Sequence, residues 1–191
     1  MPEIIAERDR KGFPMDDISY GVLIRTYGFC QLEAKLDDLV AKVGTTTNVR
    51  LLHAIASAYA ACKNKGRVVQ YGQLVLDNPN RLIRDVADVL SLFCRVCEAQ
   101  QIDMVLSKYN PEKSPELYNM ALRGFARLRL FDRMQGLLTE MQGLGVALDT
   151  ATGMELSAVL MKTGKMDLAR TVLATQKSNA VPRRPNPDDV I

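Results

Sequence analysis

The sequence predicts an all-α chain, an α-solenoid of stacked antiparallel helix-turn-helix repeats of about 35 residues. Three observations lead there. The 191 residues are 47% hydrophobic but only 6% aromatic, with no Trp and with Leu, Ala, Val and Met plentiful, a balance that favours helices over strands. Charged residues make up 25%, so the chain has material for a core and lacks the composition of a disordered one. The sequence also resembles itself at a fixed offset, which is the mark of a repeat architecture. When Tyr118 is laid on Gly153, Ala121 falls on Leu156, Phe125 on Leu160, Phe131 on Met166, Met134 on Ala169, Leu137 on Val172 and Leu138 on Leu173. The apolar positions coincide through two successive helices.

In chain order, residues 2–11 read as the second helix of an incomplete preceding repeat, with Ile4 and Ile5 where Leu137 and Leu138 stand in the best-formed unit. A chain that opens in mid-repeat is expected to be a fragment, a cleaved product or a capped array. Gly12-Phe-Pro-Met-Asp16 then leads into Ile18, Tyr20, Leu23, Ile24 and Tyr27, just as Gly145-Val-Ala-Leu-Asp149 leads into Ala151, Leu156 and Leu160. The first unit, near 18–46, is short. The second, near 47–79, pairs a face of Leu51, Leu52, Ile55, Ala58 and Tyr59 with one of Val68, Val69, Tyr71, Leu74, Val75 and Leu76. Asn78-Pro79-Asn80 breaks it, since Pro lacks the donor and restricts its neighbour. The third, near 80–113, joins Val86, Val89, Leu90 and Phe93 to Ile102, Val105 and Leu106 and stops at Asn110-Pro111.

The fourth unit, near 114–149, sets Tyr118, Leu122, Phe125 and Leu128 against Met134, Leu137, Leu138 and Met141. Its turn, Arg129-Leu130, corresponds to Gly164-Lys165 of the fifth unit, near 150–179, where Gly supplies a left-handed residue. The solenoid thus covers 1–179, and Pro182, Pro185 and Pro187 mark 180–191 as an extended tail.

A net charge of +3 is compatible with a polyanionic partner without requiring one. No run approaches the roughly 20 apolar residues of a membrane span. Glu3, Glu7 and Asp9 argue against a signal or transit peptide, so the expectation is a cytosolic chain or one whose leader has been removed.

Leu117-Tyr-Asn-Met-Ala-Leu122, Leu137-Leu-Thr-Glu-Met141 and Leu144-Gly-Val-Ala-Leu-Asp149 together resemble the pentatricopeptide repeat: a Tyr-Asn start, a Glu-Met late in the second helix and a Gly-x-x-x-Asp closing loop. Gly12 to Tyr20 resembles the same junction. The resemblance covers residues 1–30 and 114–176 and is weak from 45 to 110. It implies an organellar protein that binds single-stranded RNA, one nucleotide per repeat, in a groove lined by first helices. Carried over residue by residue, it makes Asn119 and Asp149 the pair that reads a base edge, with Gly21 and Met154 at the matching place in the first and last units. The sandwiching positions are Ile18, Glu116 and Ala151, and Glu116 departs from the apolar pattern.

Arg123 and Arg127 lie four apart on one helical face, with Lys162 one repeat later and Arg129 and Arg133 nearby. They read either as a stripe that tracks phosphates or as a solvated helix surface. Cys94-Arg-Val-Cys97 is a CxxC, but His53 is the only histidine and no further ligands accompany it. Cys30, Cys62 and Cys94 stand 32 residues apart, each near the end of a first helix, which favours small packing residues in a reducing compartment. His53 reads as part of an apolar helix face. With no catalytic triad order, phosphate-binding loop or HExxH, no catalytic residue, metal or cofactor is assigned and a non-enzymatic chain is expected. Two functions therefore stand: an RNA-binding repeat protein, or a repeat scaffold that binds protein within a large assembly such as an organellar ribosome.

Overall fold

The computed structural model describes residues 15–96 and 99–178. Residues 2–11, Gly12, Cys97 and the 180–191 tail, all singled out above, lie outside the described residues. Among the described residues the regular structure is ten helices with no strand, so the chain is all-α. None of these helices is long and apolar enough to cross a membrane.

The chain divides at Cys97 and Glu98 into two compact units. The first holds α1 (Asp17–Phe29), α2 (Glu33–Val43), α3 (Val49–Ala61), α4 (Lys65–Leu76) and α5 (Ile83–Val96). Here α1 packs on α2 and α3, and α3 packs in turn on α4 and α5. The second unit holds α6 (Ala99–Tyr109), α7 (Pro115–Arg127), α8 (Phe131–Leu144), α9 (Thr150–Lys162) and α10 (Met166–Ser178). In it α7 contacts α6, α8 and α9, and α9 packs on α10. Every such contact joins helices one or two steps apart in sequence.

The turn between paired helices is built the same way four times. A backbone N–H three residues beyond the helix reaches back to a carbonyl inside it: Leu32 to Tyr27 at 2.9 Å, Asn64 to Tyr59 at 3.0 Å, Leu130 to Phe125 at 2.9 Å and Lys165 to Leu160 at 2.9 Å. Closing that ring requires the residue between to be left-handed. Gln31 (φ 55°), Lys63 (φ 61°), Arg129 (φ 57°) and Gly164 (φ 75°) hold the position, three of them without the freedom of Gly.

The helix starts are capped by short polar side chains. Asp16, Asn48 and Asp149 accept from backbone N–H groups of the first turns of α1, α3 and α9. The two junction aspartates matched in the sequence, Asp16 and Asp149, thus do the same job. In the first unit, three side-chain bonds link equivalent places of neighbouring pairs: Asn48 to Asp17, Asn64 to Glu33 and Asn78 to the Thr47 carbonyl, each spanning 31 residues. In the second unit, Arg133 of α8 pairs with Asp103 of α6, and Gln142 of α8 donates to Thr175 of α10.

The cores follow the apolar stripes. Ile24, Leu36, Ile55, Tyr59, Leu76, Leu90 and Phe93 are fully buried in the first unit, as are Ile102, Leu117, Tyr118, Leu122 and Phe125 in the second. A side chain of that size stabilises by about 1.5–3 kcal/mol when buried. Three sequence expectations need correction. Leu74 is exposed because Val75 and Leu76 take the inward positions of α4. Met166 and Leu173 of α10, matched to Phe131 and Leu138, are also exposed. Cys30 is exposed, Cys62 half-buried and only Cys94 buried, so a common place near the helix end does not give a common environment.

Candidate nucleic-acid interface

The inter-pair loop of the second unit positions three of the sequence-nominated residues together. Asn119 is 5% exposed, and both ends of its amide are held by backbone. Its Nδ2 donates to the carbonyls of Pro115 (2.7 Å) and Ala147 (3.0 Å), while its Oδ1 accepts from the Asp149 N–H (3.0 Å). In this arrangement Asn119 fastens the loop that enters α9, and its amide has no open face for a base edge.

Asp149 caps α9 through the Thr152 N–H (2.7 Å) and also accepts from the Thr152 hydroxyl (2.7 Å). Arg123 reaches over from α7, donating from Nε to the Thr152 hydroxyl (2.7 Å) and pairing through Nη2 with Asp149 (3.4 Å). The same guanidinium lies 3.6 Å from Glu155. Burial alone would raise the Asp149 carboxyl. The Thr152 hydroxyl and N–H, the Arg123 charge and the Ala151 N–H outweigh it and hold the carboxyl below its ordinary value. Arg123 is therefore engaged by two carboxylates and a hydroxyl. Arg127, one turn further along α7, is exposed and pairs with no acid among the described residues, and Lys162 is exposed on α9. Ala151 is exposed at the start of α9.

In the first unit, Ile18 is 76% exposed on the first turn of α1. It borders an open groove of about 320 Å³ between the N-terminal halves of α1 and α3, floored by Gly21, Leu51 and Ala54. Asp17, Arg25, Asn48 and Arg50 complete its lining. Asp17 is exposed and accepts from Asn48 Nδ2 at 2.7 Å. Arg25 and Arg50 form no ion pair among the described residues, so the groove brings two guanidinium groups and the Asp17 carboxylate beside an exposed apolar side chain.

Arg25 and Arg50 are functional candidates absent from the sequence nominations. A signal for them existed. Arg25 is the ninth residue of α1 as Arg123 is of α7, and it follows Gly21 by one helical turn. Arg50 follows the cap Asn48 as Ile18 follows the cap Asp16. His53, on the next turn of α3, has a buried Nε2 without a partner among the described residues. Glu116 is exposed on the first turn of α7, as its charge requires. Gly21 is buried and Met154 is 66% exposed, and neither has a hydrogen-bonding side chain.

No protein-family model matches the chain, and no curated protein matches it significantly.

Proposed function

We propose that the chain is a non-catalytic α-solenoid of helix-turn-helix repeats whose first-helix face binds single-stranded RNA. The observation that carries this reading is the α1–α3 groove, where exposed Ile18 stands beside the cations Arg25 and Arg50. Single strands are held by this pairing: an apolar or planar surface for an unstacked base, and cations for the backbone. The first-to-first helix packing of α1 on α3 and α7 on α9 supports a repeat stack in which such grooves recur. Arg127 and Lys162 add exposed charge on α7 and α9. Ile18 and Ala151 serve as the apolar sides, Asp149 shapes the entry to α9, and Asn119 and Arg123 hold the loop. The setting implied by the sequence resemblance is RNA processing, stability or translation in an organelle.

A second reading rests on its own observation. Met154 (66% exposed) and Met161 (50% exposed) lie seven residues apart on α9, an apolar strip suited to a protein partner in a larger assembly. Fluorescence anisotropy with a random-sequence RNA pool across a salt series separates the two. RNA binding gives an affinity that falls steeply with salt. In that case Arg127→Ala weakens every sequence alike and lowers the salt slope by roughly one unit. Absence of any salt-sensitive binding leaves the scaffold reading.

A further inference from the structure

We infer that α9 carries a self-complementary face on which a second copy of the chain docks, α9 against α9 in antiparallel sense, about a two-fold axis at Ala158. Three observations on the helices lead there, and none depends on whether RNA is bound.

The first is a bare apolar strip. Met154, Ala158 and Met161 follow one another at steps of four and three, so they lie on one side of α9. Met154 is 66% and Met161 50% exposed, and Ala158 is exposed between them. Unbranched methionine side chains adapt readily to an opposing surface.

The second is what covers the same side of other first helices. The repeat match that lays Tyr118 on Gly153 sets Met154, Ala158 and Met161 on Asn119, Arg123 and Ala126 of α7. There Asn119 bonds to Ala147 and Asp149 of the loop into α9, Arg123 donates to Thr152 of α9, and Ala126 is buried. In the first unit, the junction match of Asp16 with Asp149 lays Gly28 on Met161, and Gly28 faces the Ala58 backbone of α3. On α7 and α1, this side is where another first helix lies. A first helix is therefore the occupant that the strip on α9 fits.

The third is that α9 itself supplies the matching surface. Met154 and Met161 lie four residues before and three after Ala158, while Glu155 and Lys162, both exposed, lie three before and four after. An antiparallel partner turned about Ala158 sets Met154 level with its Met161 to within one residue's rise, about 1.5 Å. On the other flank it sets Glu155 beside its Lys162, and symmetry repeats both pairs. The small Ala158 at the centre lets the two helices approach closely. Glu155 also lies 3.6 Å from Arg123 of its own copy, with half its side chain exposed. A strip on one 13-residue helix is about 20 Å long, which suits a reversible dimer at the small end of interface sizes.

The test is sedimentation velocity of the nuclease-treated whole chain from about 1 to 200 μM, over which a dimer of micromolar affinity should appear. Ala158→Arg brings two guanidinium groups together on the axis and should leave a monomer throughout. The matching position of α7 already holds Arg123, so α9 should fold in this variant, and circular dichroism checks that it does. Glu155→Lys and Lys162→Glu each set like charges across the pair, and each should weaken the dimer about ten-fold. Mixed together, these two variants should pair with one another about as tightly as the parent chain pairs with itself. A monomer at every concentration, its face taken by another segment of the chain or by a different protein, would overturn the second-copy assignment. A dimer that Ala158→Arg leaves intact would overturn it too, and charge variants with no preference for each other would overturn the antiparallel pairing. No RNA is present in these measurements, so the RNA reading stands or falls on its own titration.

Discussion

Single residues carry much of the local geometry, and their chemistry separates structural from functional roles. Asn119 is a base reader only by what the pentatricopeptide resemblance implies for its position. Burial and three backbone hydrogen bonds give it another role. Asp149 combines a cap with an ion pair, and pH separates the two. Its folded carboxyl titrates below the ordinary value, so its charge contributes stability above the unfolded pKa, and that contribution is lost as pH falls through the folded pKa. Asp149→Asn keeps a capping oxygen but removes the charge facing Arg123. The pair is more than a third exposed, so solvent screening limits the loss at neutral pH to about 0.5 kcal/mol. Urea midpoints of the two proteins should converge as pH drops through the acidic range, and a gap independent of pH would show that the charge contributes nothing. At the turns, Arg129 is exposed and left-handed, with φ 57°. Arg129→Gly should therefore stabilise by about 0.5–1 kcal/mol. Gly164→Ala, at φ 75°, should destabilise by a similar amount, both read from thermal melts.

At the scale of helices, legibility depended on which signal was read. The apolar spacing placed the faces of α3, α5, α7 and α8 correctly because a 3.6-residue period over three turns has no strand equivalent. The same signal misplaced Leu74, Met166 and Leu173. Adjacent apolar residues leave the inward one ambiguous by a single helical step, and only packing decides. The groove of the first unit was half legible. Ile18 and Gly21 were named from the junction pattern, whereas Arg25 and Arg50 come together only when α1 lies against α3, a juxtaposition no spacing within one helix reveals. That close approach has its own determinant. A methyl group on Gly28 would lie 2.5 Å from the Ala58 Cα and 3.0 Å from its carbonyl oxygen, both backbone atoms that cannot swing away. Gly28→Ala gains about 1 kcal/mol of helix propensity. It must nevertheless push α3 off α1, and overpacking costs about 1–3 kcal/mol before that gain. Net destabilisation of the first unit in denaturant unfolding is the expected result, and a stabilised variant would show that α1 and α3 do not meet at this point.

At the scale of the whole chain, the described helices that pack closely are neighbours one or two places apart in sequence. Stability built from near-neighbour contacts is a sum of local terms, so damage need not spread along the chain. Phe125 tests this. It is 1% exposed in α7, and its backbone carbonyl also closes the turn into α8, so it contributes to two helices at once. Phe125→Ala removes a fully buried aromatic side chain and should cost on the order of 3 kcal/mol. Because the carbonyl survives the substitution, the turn itself should persist and the loss should fall on side-chain packing. Hydrogen exchange read by mass spectrometry distinguishes a local effect from a global one. With near-neighbour coupling, amides of α6, α7, α8 and α9 exchange faster in the variant, while those of α1 and α3 keep their protection. Equal acceleration from α1 to α10 would mean that the chain unfolds as one cooperative body despite its local contacts. The additive account of its stability would then be wrong.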